Sequence, residues 1–84
     1  MAVYALISKS PELMQRVQHA FDDAHYHLEE LDVIFISSSM TTQRIADRLE
    51  IEDGEKGTYL IVGVEKYWGF GPKDLWEWIE LQSA

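Results

Sequence analysis

The chain has 84 residues, a net charge of −8, 46% hydrophobic content and no cysteine. That length holds one domain, residues 1–84, and buries about 60–65% of the surface its unfolded form exposes, a thin margin that self-association commonly widens. The missing cysteines exclude disulfides, thiolate zinc sites and cysteine nucleophiles and fit a reducing cytoplasm, while the acidic balance, with seven scattered Lys and Arg residues, opposes a nucleic-acid backbone.

Ala2–Ser8, "AVYALIS", is an apolar run with β-branched and aromatic members, the signature of a strand buried on both faces. In "SPELMQRVQHAFDDA", Ser10 is a good N-cap, Pro11 suits the first helical position and Glu12 the positive end of the helix dipole. Leu13, Val17, Ala20, Phe21 and Ala24 then share one face of a helix. "HYHLEEL" alternates, with His25, His27 and Glu29 on one side and Tyr26 and Leu28 on the other, as an edge strand with a wet face would. "DVIFIS" is a further apolar strand, and the turn or bulge joining it to the previous one falls within Glu29–Asp32. Ser39 or Thr41 caps a second helix that runs to about Glu50 through Ile45, Ala46 and Leu49. After the polar loop "EDGEKG", "TYLIVGVEKYW" reads as a long strand in which Gly63 marks a bulge or a close backbone approach. "GFGP" breaks it, and Pro72 opens a last helix, "PKDLWEWIELQ". No stretch is long and apolar enough to span a membrane, and the N-terminus lacks the basic region of a signal peptide.

The order is βαββαβ plus a C-terminal helix. It predicts an α+β, ferredoxin-like fold: a four-stranded antiparallel sheet with two helices on one face and the first and third strands central. Strand residues alternate in direction, so whichever set meets the helices, the second face keeps large side chains from Val3/Ala5/Ile7 or Tyr4/Leu6, Val33/Phe35 or Ile34/Ile36, and Leu60/Val62 or Tyr59/Ile61. Water is a poor cover for such a face. The last helix or a second copy of the chain must roof it.

Three tryptophans, a tyrosine and a phenylalanine crowd Tyr67–Trp78. Leu75, Trp78 and Ile79 lie on one side of the last helix, Trp76 is about 100° away from Leu75, and Leu81 broadens the apolar arc. Trp78 is expected to pack inside its own subunit. Tyr4, Tyr67, Trp68, Phe70 and Trp76 are the expected dimer or partner contacts, with plain core filling as the alternative for the tryptophans and base stacking disfavoured by the shortage of cations.

Chemistry-bearing patterns are sparse, and no residue is assigned a catalytic role. His25-x-His27 sets two imidazoles on one strand face, and with Asp32 these are the candidate metal ligands, an exposed polar edge being the plain alternative. His19 is expected in solvent. Ser37–Ser39, Thr41 and Thr42 are better explained by capping than by nucleophilic catalysis. "GEKG" and "GFG" lack a phosphate-loop signature, and the Glu50/Glu52 pair reads as a solvated loop.

The pattern "VYALIS…HYHLEELDVIFISSSMTTQRIADRL…TYLIVGVEKYWGFGPKDLWEWI" covers nearly the whole chain. It resembles the small SinR-family proteins of bacteria and their phages and plasmids, distant relatives of the ferredoxin-like CRISPR adaptation endoribonuclease and of the VapD ribonucleases. The resemblance implies a ferredoxin-like homodimer joined through sheets and C-terminal segments. It also implies, for the nuclease relatives, an aspartate at the end of the first strand that holds a divalent metal near the dimer axis. Here Ser8, Lys9 and Ser10 stand in that region, serine is a poor magnesium ligand and lysine repels a cation. The ending departs too, with Phe70-Gly71 in place of a tryptophan and a leucine.

The expected function is a cytoplasmic, non-enzymatic, dimeric protein-binding module without a cofactor, carried by a mobile element or a defence or counter-defence system. Its acidic surface suits a basic partner. The alternative is a metal-dependent nuclease, in which Asp32 or Asp22 replaces the missing aspartate.

Overall fold

The computed structural model describes residues 1–51 and 53–83; Glu52 of the expected acidic loop pair lies outside them. The elements are β1 (Ala2–Ile7), α1 (Pro11–Ala20), β2 (His25–Leu28), β3 (Val33–Ser38), α2 (Thr42–Leu49), β4 (Leu60–Gly63) and α3 (Lys73–Ser83). The sheet has four antiparallel strands in the order β2-β3-β1-β4, so the first and third strands are central as their composition requires. This is the expected α+β, ferredoxin-like arrangement with an added C-terminal helix.

Both expected caps of α1 and α2 form. The Leu13 N–H donates to Ser10 Oγ at 3.2 Å, and the Arg44 N–H donates to Thr41 Oγ1 at 3.2 Å, each satisfying a donor that the first helical turn leaves unpaired. α1 stops at Ala20, four residues short of the apolar periodicity. Phe21 is still buried beneath α1, but the next two residues are Asp22 and Asp23, whose charges oppose the negative end of the helix dipole. The two helices also brace each other's ends: Arg16 Nη1 donates to the Leu49 carbonyl at 2.9 Å, and Arg48 Nη2 donates to the Ala20 carbonyl at 3.3 Å.

The main core lies between these helices and one face of the sheet. Leu6, Ile34 and Ile36 meet Leu13, Val17, Ile45 and Leu49, all fully buried. The opposite face is roofed by α3. Leu75 and Ile79 bury themselves against Leu28 among Tyr26, Phe35, Trp76 and Trp78, and Val3 and Ala5 on that same face are buried as well. Of the two possible covers, the last helix therefore takes most of this surface.

Two sequence expectations need correction. The β run 58–68 keeps only Leu60–Gly63 as strand, extended by one bond from the Val64 N–H to the Val3 carbonyl at 2.8 Å. Gly63 pairs with Tyr4 and Leu60 with Ile7; continued, that register sets Glu65 opposite Ala2, where β1 begins, so the neighbouring strand runs out there, and an edge strand has no second neighbour to hold it. Nor is Gly63 a bulge. The register is unbroken there, and a Cβ at that position would meet Tyr4 Cε1 at an ordinary 3.9 Å.

Two non-glycine residues take left-handed backbone, Asp32 at φ 53° and Glu50 at φ 56°. Asp32 closes the single 3₁₀ turn Glu29–Leu31 that joins β2 to β3, and Glu50 terminates α2. Left-handed geometry costs an L-residue with a side chain about 1–2 kcal/mol, and glycine is the usual solution at a helix end. Glu50→Gly is expected to raise stability by roughly 0.5–1 kcal/mol, read as a rise in the urea midpoint with an unchanged slope; its 4.0 Å contact to Arg16 is largely exposed and contributes little.

Candidate functional site

Three places bring polar or exposed apolar groups together. The first is the groove between α1 and β2, lined by Lys9, Gln15, Gln18, His27, Glu29 and Asp32, with a volume of about 380 Å³. The β2 alternation sends His25 and His27 to the α1 side of the sheet, yet the structure gives them separate partners. His25 Nδ1 lies 2.8 Å from the Phe21 carbonyl, and must carry the proton to donate there, whereas His27 Nδ1 lies 3.2 Å from Gln18 Nε2 and accepts. The groove unites His27 with Asp32 and leaves His25 outside. Among the described residues no three His, Asp or Glu side chains converge as a metal-holding group. His19 is exposed, as its polar surroundings in the sequence imply.

The second place is the end of β1. Ser8 is buried, and its Oγ is used twice: it donates to the Thr58 carbonyl at 3.2 Å and accepts the Ser10 N–H at 3.1 Å. It pins the loop before β4 to the start of α1. Lys56 reinforces that tie through a 2.7 Å bridge to Glu12, and its hydrogen bond, with its charge second, holds the Glu12 carboxyl below its ordinary pKa. Above this end of the sheet lies an apolar hollow of about 540 Å³, lined by Ile7, Leu31, Tyr59 and Leu60 with Lys9 and Lys56 among its polar neighbours. Ile7 and Leu60 are cross-strand partners on the α3 side of the sheet but beyond the helix, and both are exposed, as are Val62 and Leu31. Sequence reasoning did not single out this hollow. The alternation of β1 and β4 placed Ile7, Leu60 and Val62 on one face, but nothing in the sequence told how far α3 would reach across it.

The third place is the segment between β4 and α3. Tyr67 stacks on Trp76 with ring centroids 5.8 Å apart and planes 4° from parallel. Trp68 and Phe70 have exposures of 100% and 105% and touch nothing that would cover them. Of the expected contact residues, Tyr67, Trp68 and Phe70 are thus at the surface, and Trp76 is half-buried between Tyr67 and the α3 core. Tyr4 faces the other way. Its ring packs at the margin of the main core, and its hydroxyl donates to the Met40 carbonyl at 2.6 Å. Trp78 packs within its own subunit beside Tyr26, centroids 6.1 Å apart; burial and the Asp74 carboxylate raise the pKa of the Tyr26 hydroxyl.

The electrostatic surface follows from which cations are engaged. Arg16 and Arg48 bond helix ends, Lys56 pairs with Glu12, and Lys73 lies 3.8 Å from Glu77. Meanwhile Asp22, Asp23, Glu29, Glu30, Asp47 and Asp53 are all exposed. No helix among the described residues is long and apolar enough to cross a membrane. Compared with family models, curated proteins and solved structures, the chain matches none of them.

Proposed function

We propose that this chain is a dimeric, non-enzymatic protein-binding module of the SinR-like kind, working in the cytoplasm without a cofactor and presenting an acidic surface to a basic partner protein. A role in a mobile element or in a defence or counter-defence system belongs to the same proposal. The observation that carries it is the pairing of wholly exposed aromatic side chains, Trp68 and Phe70, with a net charge of −8. Aromatic anchors surrounded by charge are what protein interfaces use for affinity and steering respectively. The end of β1 supports binding over hydrolysis, because the Ser8 hydroxyl is occupied by two backbone groups and Lys9 stands beside it.

The test is capture of partners from lysate on the immobilised protein, followed by binding kinetics with whatever basic protein is retained. Raising the salt from low to well above physiological strength is expected to slow association at least about tenfold, since steering by opposite charge is lost to screening. An association rate indifferent to salt would remove the electrostatic half of the proposal. Loss of binding in Asp22→Asn/Asp23→Asn or Glu29→Gln/Glu30→Gln variants would show which acidic patch faces the partner.

A further inference from the structure

In an antiparallel ladder each residue turns its N–H and C=O to one side, and successive residues alternate. The Val64 N–H reaches the Val3 carbonyl, so in the unbroken register Val62 and Leu60 also face β1. Ile61 and Gly63 therefore aim their N–H and C=O groups outward, about 6.8 Å apart. β4 has β1 as its one sheet neighbour, and among the described residues no turn or loop bonds to these outward groups. Edge strands are commonly blunted by charge, proline or a bulge. β4 has none of these between Leu60 and Gly63, and its shortness is its one safeguard. The opposite edge differs. β2 carries no exposed side chain and closes at once in the 3₁₀ turn Glu29–Leu31, whereas β4 exposes Leu60 and Val62.

Resting on the basic-partner reading above, we infer that β4 takes an added strand. The occupant is an extended segment of the basic partner, apolar at alternate positions and flanked by Lys or Arg, paired along Ile61 and Gly63. The outward backbone groups call for a polypeptide, since main-chain bonds carry affinity in strand addition and pockets for alternate side chains carry specificity. Both sides of the edge supply such places. On the helix side, a groove of about 360 Å³ runs between α2 and β4, lined by Thr42, Gln43, Ala46, Tyr59 and Ile61. On the other side, Leu60 and Val62 stand exposed beside Ile7. Gly63 fits as well. A Cβ there would meet only Tyr4 Cε1 at 3.9 Å, so the chain's own packing does not require glycine; a strand omits a side chain where another backbone comes close. Charge selects a basic segment. Asp53, Glu55 and Glu65 flank β4, and Asp47 lies one helical turn beyond Gln43. Against them stand Arg44 and Lys66; Lys9 is offset by Asp32 at the hollow, and Lys56 and Arg16 are taken up by Glu12 and Glu50. A second copy would bring its own −8 to this edge, whereas a basic segment is drawn to it.

The probe is a short capped peptide in which Val and Thr alternate between paired Lys ends, with a Glu-ended control. Amide exchange of the full chain is followed by NMR with and without peptide. The Lys-ended peptide is expected to slow the Ile61 and Gly63 amides at least about tenfold. Leu60, Val62 and Val64, already turned to β1, should change less. The Glu-ended control is expected to bind at least about tenfold more weakly. Gly63→Pro removes an outward N–H and no bond to β1, so it should keep the far-UV spectrum and weaken binding at least about tenfold. Should proline disturb the fold, Val62→Lys leaves the backbone intact and sets a cation on the edge against the Lys ends; the same weakening is expected. Binding that leaves both outward amides fast, binding unchanged in a folded variant, equal binding of the Glu-ended control, or no binding at millimolar peptide overturns the proposal. So do outward amides that slow with rising protein concentration in the absence of peptide, which would place a second copy on the edge. Salt-sensitive capture of a basic protein by Gly63→Pro at wild-type strength overturns the added strand and leaves the basic-partner reading standing.

Discussion

Ile36→Asp is expected to unfold the protein. Ile36 is fully buried in β3, paired with Tyr4 on one side and His25 on the other, and it faces the main core under α1 and α2. An aspartate there finds its possible partners engaged: the neighbouring His25 is bonded to the Phe21 carbonyl, and Arg16 and Arg48 both reach the carbonyls at the helix ends. An unpaired buried charge costs several kcal/mol, and effects beyond about 4–5 kcal/mol are rare and severe. A domain's whole stability is about 5–15 kcal/mol, so most of it would be lost. Far-UV circular dichroism and amide proton dispersion at room temperature report the outcome; a cooperative thermal transition near the wild-type midpoint would contradict the placement of the core.

Leu75→Ala is expected to cost about 2–5 kcal/mol, the range for truncating a buried leucine, but to act first on one layer. Leu75 and Ile79 anchor α3 to Leu28 on the sheet face that α1 and α2 do not touch. The four strands separate this cluster from the larger one. Opening of α3 alone would expose Val3, Ala5 and Phe35 while leaving the other core packed, a sub-global event of the kind amide exchange detects. Near-UV signal from the Tyr26–Trp78 pair and exchange protection along α3 should therefore fall at lower denaturant than the far-UV signal. If all probes move together, the two clusters are one cooperative unit.

The strand order and the two helix caps were legible because each rests on a local rule. Continuous apolar runs at Ala2–Ile7 and Val33–Ser38 mark strands covered on both faces, and both turn out central. Ser10 and Thr41 are placed by the chemistry of the first helical turn. What depended on neighbours was not legible. The run after Gly63 has the composition of a strand, but a strand also needs a partner, and β1, which begins at Ala2 opposite Glu65, offers none to Lys66 and the residues that follow. That is also why Trp68 and Phe70 point into water instead of alternating across a sheet. The shared side of His25 and His27 followed from alternation, whereas their separate partners, the Phe21 carbonyl and Gln18, required the helix to be placed. The left-handed conformations of Asp32 and Glu50 gave no sign, since neither position is a glycine.

The strand order also governs how the molecule comes together at the ribosome. β1 is synthesised first, yet one of its edges must wait for β3 and the other for β4. At about 5–20 residues per second, roughly 1–5 s separate the emergence of those two partners. During that interval a hydrophobic strand with an open side is a target for chaperones and for sticking to neighbouring nascent chains, and such distant pairings are slow to form. The seam between β1 and β4 would be the last part of the sheet to close.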